Sequence, residues 1–242
     1  MIEGKKLLVF SAHAADYVWR SGGTIAKYVE GGAEVHVVAI SLGIRGESDD
    51  LWKKEGQTEE SVRATRRAET MAAAETLGIR NFEIWDFQDY PLYMTPERDE
   101  MVLRKIRAVR PDYIITHDTF DIMNPDHDAV HKSVFSGASQ SSRRGVQVPG
   151  TTVNRQPALY GFEPHQTELS NFKPAIFVDI TQTYEKKVKA MECFQAQKHL
   201  IEIYKQRAFL RGNHARRISG DQAIKYAECF AASYPVVSGE LL

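Results

Sequence analysis

Leu7-Leu8-Val9-Phe10-Ser11-Ala12-His13-Ala14-Ala15-Asp16, with Gly22-Gly23-Thr24 close behind, is the stretch on which the fold turns. An apolar run leads into a turn, and a helical-looking segment follows. A strand over Lys6 to Ala12 and a helix over Gly22 to Glu30 are therefore expected, with Gly31-Gly32 ending the helix. The turn between them carries His13 and Asp16, three residues apart, where an open α/β sheet builds its sites. An imidazole and a carboxylate facing the same way suit a divalent cation such as zinc, with a third ligand expected from a distant loop. Ala14 and Ala15 lie between them, where a hydrolytic site of this kind would want its base. The turn reads as one that holds a metal without running the usual metal-water hydrolysis.

Outward from that turn, strand and helix signals alternate. Glu34 to Leu42 is β-branched and apolar, and Thr58-Glu59-Glu60 opens a helix that stops at Gly78. Phe82 to Phe87, Tyr113 to Thr116, Ala158 to Phe162 and Ala175 to Ile180 read as further strands. Pro96 to Arg110 reads as a helix, and one long helix is expected from about Tyr184 to Leu210. This rhythm predicts a single Rossmann-like α/β domain over residues 1–242, with a mostly parallel, doubly wound sheet flanked by helices.

Bulk properties narrow the class. The chain has 242 residues, enough for one large domain, and a formal net charge of -1 that gives no bias towards nucleic acid or membrane. Its two cysteines, Cys193 and Cys229, fall in helical-looking stretches, which excludes a disulfide framework and a Cys-based zinc motif. The apolar run after Met-Ile-Glu-Gly-Lys-Lys is too short for a signal segment or a membrane span, so a cytoplasmic protein is expected. A homo-oligomer stays open: the long helix and the Leu241-Leu242 end offer packing surface without indicating a partner.

Four loops are expected to converge at the carboxyl edge of the sheet: the His13/Asp16 turn; Gly43-Ile44-Arg45-Gly46-Glu47-Ser48; His117-Asp118 with Asn124-Pro125-Asp126-His127; and Glu163-Pro164-His165-Gln166. Blander readings stand beside each. Gly43 to Ser48 is equally an ordinary turn, His117 and His131 are expected to bond to neighbours rather than to metal, and Asp126 is open to reading as a helix cap. His165 follows a proline in a polar turn, and Ser136 to Thr152 reads as a surface loop in preference to a flap.

The turn at His13, the segment Gly22 to Ala26, Arg66-Arg67-Ala68-Glu69 through Leu77-Gly78, Asn124-Pro125-Asp126-His127 and Tyr226 to Phe230 together resemble the LmbE-like, or PIG-L, zinc deacetylase superfamily. The resemblance spans nearly the whole chain in order. It implies one divalent ion, zinc by family expectation, on His13, Asp16 and His127. The departures matter as much: Ala15 stands where that superfamily has its general base, and Asn124 where it has an oxyanion-stabilising histidine. Amide hydrolysis needs both groups, and losing a positioned base costs about 10²–10⁴-fold.

Within the superfamily, Ser11 to Arg20, Arg45-Gly46-Glu47-Ser48 with Leu51-Trp52, and Phe162 to Gln166 are similar to the 4-oxalomesaconate hydratases of aromatic-acid breakdown. That likeness implies a lyase that adds water across a double bond of an anionic oxo-carboxylate. By the same likeness Glu47 and His165 are expected to be its acid/base pair, and Arg20, Arg45, Arg211 and Asn124 to contact substrate. A deacetylase in which Glu47 or His165 stands in as base, and a non-catalytic metal-binding protein, remain as alternatives.

Overall fold

A computed structural model describes residues 2–235, so the Leu241-Leu242 end lies outside the described residues. In chain order the elements are β1 (Lys6–Ser11), α1 (Asp16–Glu30), β2 (Glu34–Ser41), α2 (Asp49–Trp52), α3 (Glu59–Leu77), β3 (Asn81–Phe87), α4 (Pro96–Val109) and β4 (Tyr113–Thr116). There follow α5 (Pro125–Ser141), β5 (Ala158–Phe162), β6 (Ile176–Asp179), α6 (Tyr184–Met191), a 3₁₀ turn (Gln195–Gln197), α7 (Leu200–Ser219) and β7 (Ala227–Ala232).

One seven-stranded sheet runs in the order β3-β2-β1-β4-β5-β7-β6. The first five of these positions are joined by parallel pairing, while β7 runs antiparallel to both β5 and β6. From β1 the chain winds outward through β2 and β3, then returns to lay β4 on the other side. The strand order therefore reverses between β1 and β4, and ligands of open α/β sheets bind outside the carboxyl ends of the strands at such a point. Because side chains alternate along a strand, Leu7 and Val9 enter the core beneath α1, α3 and α6, while Leu8 and Phe10 enter the one beneath α4 and α5. Burial on both faces explains why β1 reads as an unbroken apolar run.

Local signals account for most boundaries. Thr58 accepts from the Ser61 N–H in a capping box, and Gly78, left-handed at φ 79, closes α3. Two expectations are corrected. Helix α1 begins at Asp16 rather than Gly22, so its first turn carries a ligand candidate. Gly22 and Gly23 lie inside it because α1 is crossed closely there; a Cβ on Gly23 would sit 2.6 Å from the Ile180 side chain. The expected helix from Tyr184 to Leu210 is instead α6, a break and α7. Phe194 turns extended, and the buried Glu69 carboxylate accepts from the Gln195 and Ala196 N–H groups.

Cys229 sits in strand β7, and Cys193 in the break after α6, so neither lies in a helix. The stretch Ser136 to Thr152 begins as the last turns of α5 and continues as a loop. Arg107 pins that loop to the end of α4 through the carbonyls of Gln140, Arg143 and Val146. No helix is long and apolar enough to cross a membrane among the described residues.

Candidate active site

Two of the four loops bring three donors to a single point at the switch, His13 and Asp16 from the first and His127 from the third. His13 Nδ1 lies 3.3 Å from Asp16 Oδ2, His127 Nε2 lies 3.4 Å from the same oxygen, and the two ring nitrogens are 3.3 Å apart. An ion bound tetrahedrally at about 2.0–2.1 Å separates its ligand atoms by roughly 3.3–3.4 Å, so this near-equilateral triangle fits such an ion. The three residues form the candidate metal-binding group among the described residues, and all are buried.

Each imidazole is oriented from behind by a carboxylate. Asp126 sits 3.1 Å from His13 Nε2, and Asp121 2.9 Å from His127 Nδ1, which leaves the other nitrogen of each ring facing the triangle. Asp126 is itself fixed by the Tyr90 and Leu92 N–H groups, and the Asp16 carboxylate accepts from the His13 N–H, closing the turn on itself. Asp126 is therefore more than a helix cap. His117 accepts from the Ala12 N–H and stacks on the His127 ring at 3.9 Å, supporting the triad from outside it.

The electrostatics point the same way. Burial alone would lower the His13 pKa, yet hydrogen bonds from Asp126 and Asp16 and the charge of Glu47 raise it well above its ordinary value. Burial alone would raise Asp16, but the histidines at its oxygens hold it well below the usual carboxylate range. Burial and the neighbouring His127 push His117 down, which keeps it neutral. The site thus favours positive charge at the triangle.

The Gly43 to Ser48 loop is a built structure rather than a plain turn. Asp89, almost fully buried, accepts from the N–H groups of Ile44, Arg45 and Gly46. Gly43 is left-handed at φ 67, and Gly46 passes so close to the Tyr90 ring that a Cβ would sit 2.2 Å from it. The loop delivers Glu47 to the triad, with Oε1 3.6 Å from His13 Nδ1. Asn124 donates to that oxygen at 3.0 Å, and Gln197 donates to Oε2. The Asn124 Oδ1 is buried without a protein partner, leaving an acceptor for a ligand.

Glu47, Asn124, His127 and His165 line one cavity of about 340 Å³ together with Asp16, Arg20, Trp19, Tyr90 and Tyr204. The fourth loop thus joins the other three. His165 is held by Arg207 of α7, which donates to the carbonyls of Pro164 and His165. Burial, then the charges of Arg207 and Arg20, lower its pKa. Arg20 donates to the Glu163 carbonyl, and its Nε has no hydrogen-bond partner.

The other two arginines expected at substrate are placed differently. Arg45 is exposed and outside the cavity lining, because the loop turns its backbone N–H, not its side chain, inward to Asp89. Arg211 is committed to Glu163, whose carboxylate it grips behind the wall. A larger groove of about 750 Å³ lies at the opposite edge of the sheet, around Val29, Gly32, Glu75 and Arg80, with no metal-binding cluster in it.

Sequence reasoning missed Asp121, six residues before the ring it orients, and Asp89 and Gln197, which act on a loop distant in sequence. Ala15 presents only a buried methyl group where a proton acceptor would stand, so the site has ligands and Glu47 but no base on the first turn.

Residues 8–137 match the family described as PIG-L: GlcNAc-PI de-N-acetylase. A 4-oxalmesaconate hydratase of Pseudomonas putida is 39% identical over 240 residues, covering 98% of this chain and 92% of the relative. The crystal structure of GalB, the 4-carboxy-2-hydroxymuconate hydratase of P. putida KT2440, superposes with a TM-score of 0.94 at 38% identity, covering 98% of this chain and 100% of that one. A diacetylchitobiose deacetylase of Thermococcus kodakarensis is 29% identical over 200 residues, covering 80% of this chain and 70% of the relative.

Proposed function

Because the chain belongs to the PIG-L family, we propose that it keeps the family's metal site and runs a different reaction on it, the hydration of 4-oxalomesaconate or a closely related unsaturated oxo-tricarboxylate. It is a hydro-lyase in this reading. The observation that carries it is the pairing of a buried methyl at Ala15 with a carboxylate, Glu47, delivered to the triad by another loop. 4-Oxalomesaconate and 4-carboxy-2-hydroxymuconate, the acids of its hydratase relatives, are keto and enol forms of one compound, which suits a site acting on a conjugated oxo acid.

His13, Asp16 and His127 would hold the ion, for which zinc is proposed on donor type and on the tetrahedral spacing of the three atoms. When bound, it supplies Lewis acidity towards the oxo-acid oxygens and towards water. Glu47 accepts the proton of the attacking water, with Asn124 and Gln197 donating to its two oxygens and fixing its orientation. His165 delivers a proton to the adjacent carbon; burial, then its cationic neighbours, make its protonated ring the stronger acid. The C=C bond is replaced by one C–OH and one C–H bond, and solvent resets both groups. Arg20, on the cavity wall beside Asp16 and Asp121, takes a substrate carboxylate, and the unpartnered Asn124 oxygen accepts from a hydroxyl.

This reading makes a small anionic oxo-carboxylate the partner, in the cytoplasmic breakdown of gallate-type aromatic acids, with no part for nucleic acid or membrane. The two free thiols suit a reducing compartment. Deacetylation is the second reading, favoured by the deacetylase relatives and opposed by Ala15. Glu47→Gln is expected to lower hydration about 10²–10⁴-fold with metal content unchanged. Near-normal turnover in that variant would remove Glu47 from the chemistry, and acetate release from N-acetyl sugars would favour the second reading.

A further inference from the structure

The Arg66 to Glu69 motif has no place in the chemistry above, yet both residues are buried and neither faces the cavity. Arg66 reaches Leu42 O through Nε at 3.1 Å, Glu69 Oε2 through one terminal nitrogen at 3.0 Å, and Gln197 Oε1 through the other at 3.3 Å. The other oxygen of Glu69 accepts from the Gln195 and Ala196 N–H groups, so one carboxylate both holds Arg66 and folds the break before α7. That break is what sets Gln197 against Glu47.

We propose that Gln197 is a positioning residue for Glu47, with its amide locked in one orientation by Arg66 and Trp19. The lock is a matter of donors and acceptors. Gln197 Oε1 accepts from Arg66 and, at 3.4 Å, from the Trp19 indole N–H. A guanidinium and an indole N–H are donors only. Turning the amide over would set its NH₂ against two donors and its oxygen against the Glu47 carboxylate. The NH₂ group therefore faces Glu47 Oε2, while Asn124 holds Oε1. Gln197 is almost fully buried and lines the same cavity as Glu47.

The inference rests on the reading of Glu47 as the proton acceptor. The test is a double-mutant cycle of Gln197→Met, which keeps the side-chain length, with Glu47→Gln. Hydration is assayed in all four proteins, and melting temperature and metal content are measured alongside. Gln197→Met alone is expected to lower kcat about 10- to 100-fold with KM changed less than about threefold, the loss of one hydrogen bond to a charged group. In the Glu47→Gln background it is expected to add nothing further. Normal turnover in Gln197→Met, or a loss that adds in full to that of Glu47→Gln, would overturn the assignment of Gln197 while leaving the role of Glu47 standing. Full activity of Glu47→Gln itself would overturn both. Should Gln197→Met melt early, Gln197→Leu is the second variant, judged by the same cycle.

Discussion

At His13 the two ring nitrogens take separate tasks: Nε2 is spent on Asp126, which frees Nδ1 for the triangle. His127 divides its ring the opposite way, with Nδ1 on Asp121. A ring without its rear carboxylate keeps its donor atom but loses its aim and part of its basicity. Asp121→Ala is therefore expected to weaken metal binding about 10- to 100-fold, read by competition with a chelator of known affinity. Unchanged affinity would mean that Asp121 serves only Arg20, 3.5 Å away. His13 and Asp16 were legible as a candidate pair because a strand-end turn holds them three residues apart, whereas His127 was implied only by the family resemblance. Asp121 and Gln197 were not legible: no spacing signal says that the carboxylate six residues before His127 turns back onto its ring, and Gln197 meets Glu47 only through the fold.

Among the elements, α7 does the most for the site without entering the chemistry. Arg207 grips the carbonyls of the His165 loop, and Arg211 grips Glu163 at its root. Burial alone would raise the Glu163 carboxyl, but the hydrogen bond and charge of Arg211, with Arg207, bring it below the ordinary value of 4.5. The contribution of a carboxylate lowered in this way is complete above about pH 4.5 and disappears as pH falls through its folded value. Arg211→Met should cost about 3–5 kcal/mol near pH 7, because it strands a buried charge. That penalty should shrink as pH falls through the folded value of Glu163, as read by urea unfolding at about pH 7 and at successively lower pH. A penalty independent of pH would assign Arg211 to packing alone.

The same scale shows where sequence patterns stop. β1 to β5 were readable as apolar runs flanked by turn signals, whereas β7, with Glu228 as its second residue, was not read as a strand. That glutamate is buried because Lys187 pairs with it at 2.6 Å and the Gly23 and Thr24 N–H groups donate to it. The long helix expected after Tyr184 failed for a related reason. Its periodicity continues through Phe194, and only a remote carboxylate, Glu69, makes the break.

Across the molecule, the doubly wound sheet places four carboxylates, Asp16, Glu47, Asp49 and Asp121, around a cavity whose one arginine is Arg20. Without a cation such a cavity repels a polyanion; with one, the balance shifts towards carboxylate binding. Removal of the metal is thus expected to abolish both turnover and substrate binding, and to lower the melting temperature by the linkage free energy of the lost ion. Calorimetry of oxo-tricarboxylate binding to chelated and reconstituted protein checks it, and equal affinity in the two would break the link between cavity charge and substrate.

The most direct measurement is a hydration assay on metal-loaded protein with enol-form 4-oxalomesaconate, following loss of its ultraviolet absorbance and weighing the product by mass spectrometry. Wild type and His165→Ala are run side by side. The account predicts a product heavier by one water, formed only with metal present and lost in the variant. Unchanged substrate in metal-loaded wild type, or hydration undiminished in His165→Ala, would contradict it.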